Sequence, residues 1–86
     1  MTKNAKADRT LDCLGLFCPE PVFRTRLELD KMKPGETLEI FADDPAAEKD
    51  IESLSKRLGH DILEMRKKGN TIYFLIKKKE NKRFLR

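Results

Sequence analysis

The apolar positions of this chain change period as they run from residue 10 to residue 78, and each change marks an element. Residues 10–14 alternate, with Leu11 and Cys13 on one face, which predicts a short strand broken by Gly15. From Cys18 the period becomes helical. Pro19 suits the first helical position, and Val22, Thr25, Leu29 and Met32 recur at the spacing of one buried stripe. Lys33-Pro34-Gly35-Glu36 reads as a turn with Pro and Gly at its centre, and residues 36–42 alternate again, Leu38 and Ile40 against Thr37, Glu39 and Phe41. Asp44-Pro45 has the cap-then-proline form of a helix start. Ala47, Ile51, Leu54 and Leu58 follow as its core stripe, and Gly59 stands where a left-handed residue ends a helix. Two strands, near 61–67 and 71–78, are joined by a hairpin at Lys68-Gly69-Asn70.

The element order is therefore β-α-β-α-β-β. A right-handed crossover sets the first two strands parallel, and two helices suffice to cover only one face of a four-stranded sheet. The expected fold is an α/β two-layer sandwich, a mixed four-stranded sheet with two helices on one face. The folded domain is expected over residues 10–78, with a disordered lead at 1–9 and a basic flexible tail at 79–86. Each helix then begins just beyond the C-terminal end of a parallel strand, so Cys18 and Asp43-Asp44 should lie along one edge of the sheet.

Charge sharpens this picture. The whole chain is +4, but residues 77–86 carry +5 and residues 1–9 carry +2, which leaves residues 10–76 at −3. The basic character belongs to the ends. A nucleic-acid reader clusters its bases on a folded face, so stable nucleic-acid binding by the folded body is not expected. No apolar run is long enough for a membrane span, the N-terminus lacks a signal-peptide core, and two cysteines make no disulfide framework. A cytoplasmic protein with free thiols is the expectation. At 86 residues the chain should also do its chemistry at the surface, because so small a domain encloses little volume.

The candidate chemistry lies at Cys18-Pro19-Glu20-Pro21. Two prolines fit in one helical turn only where amide donors have no intrahelical acceptor. Pro19 restricts the residue before it to the extended region that a cap requires, so Cys18 is expected at the N-cap, with the Glu20 amide as a donor to its sulfur. The dipole there favours a thiolate by about 0.3–1 kcal/mol, which predicts a mildly acidic thiol. Such a rigid, exposed thiol suits exchange with an activated sulfur. The plain alternative is a capping residue beside a conformational stop, although cysteine caps poorly.

The stretch Leu11-Asp12-Cys13-Leu14-Gly15-Leu16-Phe17-Cys18-Pro19-Glu20-Pro21-Val22 resembles the Leu-Asp-x-x-Gly-x-x-Cys-Pro-x-Pro signature of the TusA/SirA-like sulfur-carrier family. Pro34-Gly35-Glu36, Ala42-Asp43-Asp44-Pro45-Ala46, Asp50-Ile51 and Gly59-His60 resemble later parts of the same pattern. The resemblance implies a sulfur carrier, a sulfurtransferase that acts stoichiometrically in a relay. Cys18 would take sulfane sulfur as a persulfide from a cysteine desulfurase or similar donor protein and pass it to an acceptor protein. It implies no cofactor and no metal. The Asp-Asp-Pro-Ala stretch is most similar to the branch serving tRNA 2-thiouridine formation. Cofactor biosynthesis and sulfur oxidation are the alternative destinations, and Cys13 departs from the tRNA branch. Pro19, Glu20, Pro21, Asp12 and Gly15 are the motif-supporting residues.

The remaining candidates divide between chemistry and packing. Cys13 alternates into the core; its functional reading is a resolving thiol for Cys18 in a redox protein. Asp12 can bond amides of the following loop. Asp44 is a cap. Asp43 has no helical duty and is a candidate for docking a basic partner, together with Phe23 and Leu27, an i, i+4 apolar pair on the outer side of the first helix. His60 reads as structural. A zinc site from Cys13, Cys18 and His60 is not expected, since no paired ligand spacing is present. The basic tail could make loose contact with tRNA, the basis of a nucleic-acid-binding alternative.

Overall fold

A computed structural model describes residues 7–79. Its elements are β1 Arg9–Cys13, α1 Glu20–Lys31, β2 Thr37–Ala42, α2 Pro45–Leu58, β3 Asp61–Lys68 and β4 Thr71–Lys77. The strands form one sheet in the order β1-β2-β4-β3. β1 and β2 are parallel, with Leu11 opposite Ile40 and Cys13 opposite Ala42, while β2–β4 and β4–β3 are antiparallel. The six-element order and the mixed sheet agree with the expectation. The expected lead and tail lie largely outside the described residues. Asp8 is inside them: its amide bonds the Thr37 carbonyl and its carboxylate accepts from the Thr37 amide at 2.9 Å, so pairing begins ahead of Thr10.

Registration follows from the alternation. Leu38, Ile40 and Ala42 of β2 face Ile76, Phe74 and Ile72 of β4, and all six are buried under the helices. From the helices, Leu29, Ala47 and Ile51 join them in one apolar cluster that also holds Cys13 and Met32. Two stripe positions differ from the expected set. Val22 is half-buried and Pro21 is buried, so the inner face of α1 runs through Pro21, Thr25 and Leu29 at i, i+4 and i+8. Leu58 is half-buried, and Ser55 sits inside, its hydroxyl donating to the Ile51 carbonyl at 2.9 Å. Thr25 uses the same device, donating to the Pro21 carbonyl at 2.8 Å. A buried hydroxyl is tolerated where the carbonyl four residues back accepts it.

The helices end for identifiable reasons. Gly59 takes φ +82° after α2, a conformation that costs other residues a Cβ clash, and its amide returns to Lys56. Past α1, the Lys78 ammonium donates to the Leu29 carbonyl, which ties the end of β4 to the helix. On the uncovered sheet face, Glu39 accepts from the Thr10 and Tyr73 hydroxyls, and Arg66 lies 5.4 Å from the Tyr73 ring centre. No helix among the described residues is long and apolar enough to cross a membrane.

His60 has a structural role. It is buried and its Nδ1 accepts the Lys79 amide at 3.1 Å. Burial, then the Lys78 charge, lowers its pKa below the ordinary 6.5. The unfolded chain therefore binds the proton more readily, so stability should hold above pH about 6.5 and fall as acid protonates the imidazole. Thermal melts between pH 7 and 5 should show a loss that His60→Asn, an acceptor that does not titrate, removes. Equal pH dependence in both proteins would refute this role.

Candidate functional site

The loop between β1 and α1 is pinned by carboxylates. Asp12 Oδ1 accepts the Leu14 amide at 2.9 Å, and the Leu16 amide bonds the Cys13 carbonyl at 3.1 Å, closing a tight turn. Gly15 occupies that turn at φ +83°, which explains its place in the motif. Asp43 Oδ1 accepts the Gly15 amide at 3.0 Å, and Asp44 Oδ2 accepts the Cys18 amide at 2.7 Å. Asp44 Oδ1 also accepts the Ala46 amide at 3.2 Å, so this one carboxylate caps α2 and anchors the segment leading into α1. The expected shared edge of Cys18 and Asp43-Asp44 is present.

Two expectations need correction. Pro19, rather than Cys18, is the N-cap residue of α1, with Glu20 and Pro21 at the first two helical positions; the Cys18–Pro19 peptide is cis. The Glu20 amide bonds the Phe17 carbonyl at 2.8 Å and is unavailable to the sulfur, while its carboxylate pairs with Arg24 at 3.1 Å. The physical cause is common to both: the loop closes its own turn before the helix starts, which places Cys18 one residue outside the cap. Asp43 has no helical duty, as expected, and holds the Gly15 amide of the preceding loop.

The sulfur has a partner that sequence reasoning did not assign. Cys18 is exposed, and its Sγ donates to Asp50 Oδ2 at 3.2 Å. That hydrogen bond first, then desolvation, then the charges of Asp50 and Asp44 raise the thiol above its ordinary pKa. The shift therefore runs in the direction opposite to that expected from the helix dipole. The available signal was Asp50 itself, an acid between the core residues Ala47 and Ile51. Cys13 is fully buried, and its thiol is raised chiefly by that burial.

Apolar side chains are exposed on the loop that carries the thiol and on α1. Phe23 is 60% and Leu27 47% exposed, which places the expected pair at the surface. Phe17, at 72%, and Leu14, at 46%, are also exposed, on the loop itself, and were not singled out from the sequence. Their signal is the run Leu14-Gly15-Leu16-Phe17, where only Leu16 packs on the core.

Comparison with known proteins fits this geometry. Residues 9–78 match the family model described as sulfurtransferase TusA. A candidate sulfur carrier protein of Archaeoglobus fulgidus is 47% identical over 70 residues, 80% of this chain and 91% of that one. The sulfur carrier protein TusA of Allochromatium vinosum is 38% identical over 74 residues, 86% of this chain and 97% of that one. The crystal structure of a SirA-like protein from Desulfitobacterium hafniense shares the fold, with a TM-score of 0.73, 24% identity and coverage of 84% of this chain and 99% of that one. This chain belongs to the TusA sulfurtransferase family of sulfur carriers.

Proposed function

We propose that Cys18 carries sulfane sulfur as a persulfide, loaded by a cysteine desulfurase or similar donor protein and passed to an acceptor protein in the cytoplasm. The Asp43-Asp44-Pro45-Ala46 stretch favours tRNA 2-thiouridine formation as the destination. The observation that carries the reading is an exposed thiol on a loop pinned at Leu14, Gly15 and Cys18, in a sulfur-carrier chain whose other thiol is fully buried. A rigid exposed sulfur can approach a second sulfur on another protein without a pocket, and exchange needs the two atoms nearly in contact. A Cys13–Cys18 redox couple would first have to draw Cys13 out of the core. Intact-mass measurement after incubation with a desulfurase and cysteine tests the reading: a gain of one sulfur atom per chain is expected, and an unchanged mass would refute it.

Partners dock on the surface around this loop, with Phe23 and Leu27 as the apolar anchor and Asp43 on its acidic rim. Phe23→Ala should speed dissociation of a desulfurase several-fold, since a truncated anchor acts chiefly on the off-rate. Asp43→Asn keeps an oxygen for the Gly15 amide while removing the charge. It should slow association and flatten its salt dependence. Binding kinetics at two salt concentrations check both, and unchanged rates in two folded variants would place docking elsewhere.

A further inference from the structure

Nucleophilic thiols are ordinarily set beside cations, which favour the thiolate. Cys18 has the opposite setting. Its sulfur donates to Asp50 Oδ2 at 3.2 Å, and Asp44 holds the amide of the same residue at 2.7 Å. Four other acids of the loop and the two helices have partners of their own: Asp12 the Leu14 amide, Asp43 the Gly15 amide, Glu20 Arg24, and Glu48 of α2 Lys67. The two charges acting on the thiol are both carboxylates, from the turn before α2 and from α2 itself. Asp50 reaches the sulfur from 32 residues away in the chain, so the contact exists only because the fold brings α2 beside the loop that precedes α1.

We propose that Asp50 is a positioning residue that restrains the Cys18 thiol in the free carrier, and that Asp44 and Asp50 together restrict sulfur exchange to partner sulfurs with a cation beside them. The inference rests on the persulfide-carrier reading and names the chemistry of its partners. A lysine, arginine or imidazolium next to the donor's persulfide pairs with Asp50 as the proteins dock. The sulfur loses its acceptor, and the thiolate becomes accessible where it is needed. That thiolate attacks the outer sulfur of the donor persulfide. A bond forms between Cys18 Sγ and the outer sulfur as the donor's S–S bond breaks. The donor leaves as a thiolate and takes up the proton that Cys18 released. Oxidation equivalents move with the sulfur, so no other oxidant or reductant is required. The same carboxylates repel small anionic thiols that would otherwise strip the loaded sulfur.

The test uses the full chain in a Cys13→Ala background, so that Cys18 alone reports. Cystamine, a dication, and dithiobis(nitrobenzoate), a dianion, measure charge preference, and neutral iodoacetamide measures the pH profile. Asp50→Asn preserves size and an acceptor oxygen while removing the charge. It should lower the cystamine-to-dithiobis(nitrobenzoate) rate ratio about fivefold at low ionic strength, and by less at high salt. The alkylation profile should move to lower pH, and Asp50→Glu should retain the parent's charge preference. An unchanged rate ratio, or an unchanged pH profile, in folded Asp50→Asn overturns the proposal. Neither assay contains a sulfur donor, so this result is independent of whether Cys18 loads with sulfur.

Discussion

Replacement of Cys18 by serine is expected to abolish sulfur loading, while replacement of Cys13 by alanine leaves it intact. A hydroxyl cannot form the S–S bond that holds the cargo, so the loss should be complete rather than graded. Serine keeps a donor that can bond Asp50, and the site is at the surface, so the variant should fold like the parent. Cys13 lies in the core with no exposed atom, and alanine leaves a small cavity there at a cost of about 1 kcal/mol. The proper comparison is therefore loading per folded molecule. Persulfide labelling with peptide mapping, alongside circular dichroism, separates the two sites. A label that survives in Cys18→Ser and disappears in Cys13→Ala would reverse the assignment.

The second large effect is expected at Asp44. One of its oxygens caps α2 through the Ala46 amide, and the other holds the Cys18 amide across 26 residues of sequence. Losing a helix cap costs about 0.5–2 kcal/mol, and losing one further hydrogen bond about 0.5–1.5 kcal/mol. Both bonds are near the solvent, so Asp44→Ala should cost about 2 kcal/mol, or about 8–16 °C in melting temperature for a domain of this size. Asp44→Asn keeps one acceptor oxygen and should lose roughly half as much. Sulfur acceptance should also slow in Asp44→Ala, because the Cys18 amide is no longer anchored. Urea and thermal unfolding measure the first effect, and single-turnover loading of folded protein measures the second. A stability change below about 0.5 kcal/mol would show that water replaces the carboxylate without penalty.

The two sites were not equally legible beforehand. Cys18 stood out because a cysteine followed by two prolines in one turn is locally unusual, and Asp44 because aspartate before proline is a local cap signal. Their connection was not legible, since nothing in the period of either helix says which carboxylate will lie against which amide. The bond that Asp43 makes was hidden for the same reason. Its partner, the Gly15 amide, is 28 residues away and becomes a neighbour only when β1 pairs with β2.

The amino-acid sequence by itself determined the six elements, their order, and the inward face of β2, with most of the buried stripe of each helix. Those properties follow from side-chain period and from Gly and Pro constraints, which act within a few residues. It also carried the motif that marks Cys18. Tertiary structure alone decided the state of the thiol. A local argument places the sulfur at a helix N-terminus, where the dipole favours the anion by less than about one pKa unit. In the folded chain the turn closed between Phe17 and Glu20 sets Cys18 outside that cap, and packing of α2 brings a full negative charge within 3.2 Å. A hydrogen-bonded carboxylate outweighs the partial charge of a helix end, so the sign of the shift was set by a contact that only the assembled fold creates.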